Sequence, residues 1–294
     1  MRKNPMLWDD EAPQGVLSPR EGLDETEAKL SLLGLPSGDG MISGRDVKAG
    51  AEAGPAVRSV LLRIADALRD AAERERNSWF TLDDLAPDDR AHLFDALGDG
   101  EVSMVISPGT PDEGEAQIWE TVLPGVWLGH AADRTGRVQT FWVEIADAPG
   151  ALRRAAVERP GLHLDMDRLV PPRGAMNVLG VLSEVRERSA AWTPGTETHV
   201  INFTLFPMTP ADSAFLASTL GEVGVRVASG GYGAARVIMT AVPHVWAVQY
   251  LNGMQTVILD TLEIGDVPAC VVAAREDFED SAERLAEIRE AYRS

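Results

Sequence analysis

The sequence predicts an α+β protein built from two internal repeats, each with helices packed on a mainly antiparallel sheet. Three observations carry this. The chain copies itself: pairing Pro87 with Pro210 aligns "PDDRAHLFDALG" with "PADSAFLASTLG", and pairing Trp127 with Trp246 aligns "TVLPGVW" with "TAVPHVW" and, ungapped, "EIADAP" with "EIGDVP". Matched Trp and Pro over so long a span do not recur by chance, and the period is too long for a solenoid. Apolar residues at helical spacing open each copy, whereas short strand-like segments fill most of the remainder. Turn signals such as "DRTG" and "LNGM" join those segments by short loops, which favours antiparallel pairing.

Taken in order, residues 1–52 mix Gly, Pro, Ser and acids without sustained periodicity. They read as a mostly disordered acidic leader with one short helix around Thr26 to Leu33. Residues 53–150 form the first copy. Its helix, Ala56 to Glu75, sets Val57, Val60, Leu61, Ile64, Ala67 and Leu68 on one stripe. The strand "SWFTL" follows, then a short helix opened by Pro87, whose missing N–H costs nothing in a first turn. Four strands come next: "EVSMVIS", "AQIWETVL", "GVWLGHA" and "VQTFWVEI".

Residues 151–172 read as a linker and 173–294 as the second copy. There the helix is Met176 to Ala191 and the first strand "HVINFTL", whose "FTL" matches that of Phe80 to Leu82. The Pro210 helix and the strands "GVRVASG", "ARVIMTAV", "HVWAVQYL" and "TVILDTLEI" complete it. The extra residues of the first copy fall in its "SPGTPDEGEAQ" loop. Asn252-Gly253 supplies the positive φ of a tight hairpin, and a final helix, capped by Asp280 or Ser281, aligns Ala282, Leu285, Ile288 and Tyr292.

Composition narrows the function. With 27 Lys+Arg against 46 Asp+Glu the formal charge is −19. Such a surface repels phosphate backbones and anionic lipid and suits a basic or apolar polypeptide. One cysteine, Cys270, excludes an intrachain disulfide and any cysteine cluster. The N-terminus has no apolar core of a signal peptide and no long apolar run occurs, so a soluble, cytoplasmic protein is expected.

No catalytic constellation assembles. His92, His130, His163, His199 and His244 make no metal-ligand spacing, and His163 with Asp165 and Asp167 reads as solvated linker. Gly230, Gly231 and Gly233 lack the helix that a phosphate loop needs behind it. Glu144 with Asp147, and Glu263 with Asp266, close strands before a Pro, where acids serve turns. The aromatics remain: Trp127 and Trp246 begin strands, where an edge position would let them anchor a peptide, although core packing is the simpler role. Tyr250, Asn252, Tyr232 and Arg236 complete the candidate partner-binding set. A competing expectation is a small-molecule enzyme with a site between the copies, using Tyr232, Arg236 and the paired acids.

The segments "HVINFTLFPMTPADSAFL", "GGYGAARVIMTAVPHVWAVQYLNGMQTVILDTLEIGDVP" and "DSAERLAEI", in this order, resemble the HupH/HyaF family of hydrogenase expression and formation proteins. The resemblance runs over about residues 53 to 293 and is closer in the second copy. It implies a non-enzymatic, cofactor-free chaperone that helps to mature a nickel-iron uptake hydrogenase. Its implied client is the iron-sulfur small-subunit precursor, with its twin-arginine signal, bound before export. A thioredoxin-like maturation protein is the other partner it implies, and a scaffold for such a protein is an alternative. The family's Gly-Tyr-Gly-Asn-Cys-Arg reads Gly-Tyr-Gly-Ala-Ala-Arg here (Gly231 to Arg236), and Ala247 replaces a second aromatic after Trp246. Any redox task of that cysteine is therefore absent from this chain.

Overall fold

The computed structural model describes residues 54–109, 114–159, 161–230, 234–254 and 256–291. The helix expected at Thr26 to Leu33 lies outside them, as does the rest of the leader. The protein is α+β and duplicated. In the first copy α1 (Pro55–Arg74), β1 (Ser78–Thr81), α2 (Pro87–Leu97), β2 (Val102–Ile106), β3 (Ala116–Glu120), β4 (Val126–Ala132) and β5 (Val138–Ile145) follow one another. After α3 (Gly150–Glu158) and a 3-10 turn (Met166–Arg168), the second copy runs α4 (Val178–Ala191), β6 (His199–Asn202), α5 (Pro210–Leu220), β7 (Val225–Ser229), β8 (Ala235–Met239), β9 (Val245–Leu251) and β10 (Val257–Ile264). A 3-10 turn (Ala269–Val271) leads to α6 (Arg275–Ala291).

Each copy carries an antiparallel five-stranded sheet, ordered β1-β5-β4-β3-β2 in the first and β6-β10-β9-β8-β7 in the second. The register corrects one detail of the self-alignment. Leu82 N donates to Phe141 O and Phe203 N donates to Asp260 O, and Phe141 and Asp260 are equivalent when Trp127 is paired with Trp246. Leu82, not Phe80, therefore stands where Phe203 stands, and the two "FTL" triplets are out of step. The added residues of the second copy lie between β6 and α5, where Leu205 and Phe206 are exposed.

The stretch read as a linker also holds structure. Leu152 and Ala155 of α3 are buried, and Asp165 Oδ1 accepts from Asp167 N to cap the 3-10 turn. Asp165 is thus a turn residue, paired besides with Arg168 at 3.0 Å.

Helices cover one face of each sheet. In the first copy Val57, Leu61, Ile64 and Leu68 of α1 and Leu93 and Leu97 of α2 pack on Val126, Leu128, Val143 and Ile145. α6 belongs to this unit, with Phe278 and Leu285 in the same core, although sequence order had placed it with the second copy. Arg275 fixes it by donating to Ala72 O (3.0 Å) at the C-terminal end of α1, where a cation meets unpaired carbonyls. The helix starts before the expected cap. Ser281 lies within it, fully buried, and its hydroxyl donates to Pro124 O (2.9 Å).

In the second copy α4 and α5 cover Ile201, Ile238, Val245, Ala247, Leu262 and Ile264. Their N-termini share one acid. Asp212 Oδ1 accepts from Met176, Asn177 and Val178 N–H at the start of α4 (2.7–3.0 Å), and Oδ2 accepts from Thr209 N (2.9 Å) in a capping box on α5. Burial alone would raise this carboxyl, but the donors hold it down to about 2.

The repeated "T-x-x-P-x-V-W" segment is a buried turn into the middle strand. Thr121 N donates to Val126 O and Thr240 N to Val245 O. Thr121 Oγ1 accepts from Leu123 N, and Thr240 Oγ1 from Val242 N. The residue before the strand has positive φ in both copies: Gly125 at 79° and His244 at 62°. At Gly125 any side chain would collide with the Phe278 ring, whereas His244 stacks on Trp192 with centroids 3.9 Å apart. The conformation in which glycine is usual is thus carried by a histidine in one copy, held by a stacked ring.

Asn252-Gly253 does not make the tight hairpin expected of it, because Gly253 φ is not positive. A wider loop forms instead, with Asn252 Oδ1 accepting from Met254 N and Thr256 N. Asp133 does the same in the first copy, accepting from Thr135 and Arg137 N–H.

Two outcomes test these contacts. Replacing Asp212 with Ala removes caps from two helices and is expected to lower unfolding free energy by about 2–4 kcal/mol, at roughly 1–2 kcal/mol per cap, read from urea midpoints at constant slope. Glu120, on the Trp127 face, is pushed up to about 7 by burial, opposed by the Gly125 N–H that it accepts. The folded state then holds its proton where the unfolded state has lost it, so the Glu120 contribution to stability should fall as pH rises from about 4.5 to about 7 and stay flat above. Glu120→Gln keeps the acceptor and is expected to flatten that fall by about 2–3 kcal/mol, measured by urea unfolding at pH 5 and pH 8.

Candidate partner-binding site

The structure separates the candidate residues into three groups. Trp127 and Trp246 lie on β4 and β9, the middle strands of their sheets, and are 0% and 1% exposed. This corrects the edge-strand expectation: neither ring offers a surface in the folded protein. Trp127 Nε1 donates to Ala146 O (2.9 Å), whereas Trp246 Nε1 finds no acceptor among the described residues. Tyr232 lies outside the described residues.

Arg236, Tyr250 and Asn252 come together at one end of the second-copy sheet, where the register sets Ala235 against Tyr250, and Leu251 N donates to Ala234 O. Because strand side chains alternate, β8, β9 and β10 place Arg236, Gln249 and Asp260 in one cross-strand row, continuing the apolar face of Ile238, Ala247 and Leu262. Gln249 and Asp260 are buried and Arg236 half-buried. Burial pushes the Asp260 carboxyl up to about 6, and a hydrogen bond from Gln249 opposes it. The row thus joins a guanidinium, an amide and a carboxyl whose charge changes just below neutral pH.

The opposite face carries Tyr250 and Glu263. Tyr250 OH donates to Glu263 Oε1 (3.4 Å), and the Cys270 thiol on the 3-10 turn lies against both. Burial, then the Glu263 charge, raises Cys270 to about 11, and burial also raises Tyr250 and Glu263. A thiol held protonated at neutral pH is a weak nucleophile. Asn252 spends its side-chain carbonyl on its own loop.

The first copy has a different chemistry at the same place. Gln117, His130 and Phe141 occupy the positions of Arg236, Gln249 and Asp260. His130 packs against Trp119 (5.9 Å between centroids) and Phe141 (5.7 Å), Phe94 joins both, and Arg90 lies 4.2 Å over the Phe141 ring. Burial lowers the His130 pKa, and this copy sets an aromatic cluster under the Arg90 guanidinium where the second sets Arg236, Gln249 and Asp260.

The paired acids do separate work. Glu144 Oε1 accepts from Gly150 N (2.8 Å) and Asp147 Oδ1 from Ala148 N (2.8 Å), while Asp266 pairs with Arg153 at 2.9 Å. Sequence reading passed over Gln249, Asp260 and Cys270. The register implied by the Trp246 alignment would have put the first two beside Arg236, whereas nothing in the sequence placed Cys270 beside Tyr250. It also passed over Trp79 on the edge strand β1, 54% exposed. Among the described residues, no group of three His, Cys, Asp or Glu could hold a metal ion, and no helix is long and apolar enough to cross a membrane.

Comparison with known proteins brings the two copies together. The family described as HupH hydrogenase expression protein, C-terminal conserved region, matches residues 56–158 and again 175–292. The hydrogenase expression/formation protein HupH of Rhizobium leguminosarum bv. viciae is 41% identical over 233 residues, which is 79% of this chain and 81% of that protein. The protein HoxQ of Cupriavidus necator, named for hydrogenase expression/formation, is 42% identical over 238 residues, 79% of each chain. The hydrogenase-1 operon protein HyaF of Escherichia coli K12 is 33% identical over 206 residues, 69% of this chain and 70% of its own. Matched twice by the family's conserved region and aligned with such relatives over most of its length, the chain belongs to the HupH hydrogenase expression protein family.

Proposed function

We propose that this protein is a non-enzymatic chaperone in the maturation of a nickel-iron uptake hydrogenase, and that it binds the iron-sulfur small-subunit precursor in the cytoplasm before export. Family membership is the observation that carries the reading: the relatives are named for hydrogenase expression and formation, and those names describe accessory proteins rather than catalysts. Two features of the chain support binding as the task. A formal charge of −19 favours basic segments such as a twin-arginine signal. The half-buried Arg236, Tyr250 and Asn252 at one end of the second-copy sheet offer polar groups for recognition.

Tagged full-length protein drawn from hydrogen-oxidising cells is expected to bring down the small-subunit precursor, and less of it when the signal peptide is deleted. Retrieval of a thioredoxin-like maturation protein without the precursor would assign the chain to scaffolding instead. Retrieval of no hydrogenase component would sink the reading.

A further inference from the structure

We propose that the free edge of β1 docks an extended, basic segment of a client polypeptide, which joins the first-copy sheet as an added strand; this rests on the chaperone reading above and locates one of its contacts. Among the described residues β1 ends the strand order and pairs only with β5. Leu82 N donates to Phe141 O, so in an antiparallel ladder Leu82, Phe80 and Ser78 turn their backbone groups to β5. Trp79 and Thr81 alternate with them and present their N–H and C=O outward. Both residues are exposed. Backbone groups aimed away from a sheet are a template for one occupant above others, a second extended backbone.

The side chains add an anchor. Trp79 packs beside the buried Trp142 with centroids 6.5 Å apart and rings inclined by 34°, so the one exposed ring forms an aromatic platform next to the edge. Exposed tryptophan beside a free strand is the kind of group that concentrates binding energy. The equivalent edge of the second copy lacks this platform: β6 turns Val200 and Asn202 outward, and Asn202 Oδ1 is engaged by Thr204 N.

Charge selects the kind of segment. Exposed Asp83, Asp84 and Asp88 follow β1, Arg74 is paired with Asp70, and Arg63 lies 3.9 Å over the Phe80 ring. The whole chain carries 46 acids against 27 bases. A strand of four residues, with two facing outward, offers few bonds. Attachment is therefore weak enough to reverse, and the short edge also limits pairing between copies of this protein.

The test uses the full chain and overlapping synthetic peptides of about 12 residues that span the small-subunit precursor, a length sufficient to add one strand. At least one Lys/Arg-rich peptide is expected to bind, more weakly as salt rises, and to slow hydrogen exchange at the Trp79 and Thr81 amides. Thr81→Pro removes an outward donor that β5 does not use and should weaken binding about tenfold, the equivalent of one hydrogen bond, whereas Thr81→Val should bind like the parent. If Thr81→Pro fails to fold, Trp79→Ala takes its place, with the same loss expected.

Unchanged affinity in both Thr81→Pro and Trp79→Ala, or protection confined to other strands, overturns the proposal. So does slow exchange at Trp79 and Thr81 in the isolated chain that disappears when residues 1–53 are removed, since the edge would then be filled by the protein itself. If no peptide binds while the intact precursor still copurifies, the edge fails and the chaperone reading stands. If peptides bind at β1 but cells yield no hydrogenase component, the edge stands and the client is another basic polypeptide.

Discussion

A buried turn sets the frame on which each copy is built. Thr121 and Thr240 are almost fully enclosed, as are Leu123, Val126, Val242 and Val245 around them, so every backbone group in the turn must find a partner inside the protein. The threonine hydroxyls and the Thr-to-Val backbone bonds do this, and they fix where β4 and β9 begin. The turn also holds the next strand, because Ala146 N donates to Gly125 O and Gly265 N to His244 O. With the register fixed at that point, Val126, Leu128, Val245 and Ala247 fall on the helix side, and Trp127 and Trp246 on the other. A slip of one residue would exchange the faces and bury the wrong set.

The helices then lock on by polar contacts at their ends. Asp212 ties two helix N-termini with one carboxylate, and its equivalent, Asp89, lies against Gly54 at the start of α1, where an added Cβ would come 3.0 Å from Asp89 Oδ1. These contacts decide where α4 and α5 enter the core, while the leucines and valines supply its apolar area. Once the frame is shared, the copies differ at the sheet end, with Arg236, Gln249 and Asp260 in one and Gln117, His130 and Phe141 in the other. Duplication preserved the scaffold and released these rows to diverge.

Much of this was legible in the residues. Alternation, turn signals and the Trp-Pro matches located all ten strands, and the change of offset between the copies falls between β2 and β3, as the extra loop residues required. The "FTL" match misled because a strand of four residues has too short a pattern to fix register. Trp127 and Trp246 were misplaced for a related reason. When both faces of a strand are buried, as for Val126, Trp127 and Leu128 in a row, alternation no longer distinguishes core from surface, and a Trp can be read either way. Trp79 drew no attention because being an edge is a property of pairing, which the local sequence does not state. The clustering of Tyr250, Glu263 and Cys270 is equally non-local, with a 3-10 turn carrying the thiol back to the sheet.

The place of α6 has a consequence for how the chain comes into being. Among the described residues the second copy is one continuous stretch of polypeptide, whereas the first is interrupted by it and lacks Phe278 and Leu285 until α6 has been made. On the ribosome, then, the half that emerges first is completed last. The second copy can form its core while the first still waits with the Gly125 side of its turn and one flank of α1 uncovered. That interval is when this protein itself would most need protection from aggregation.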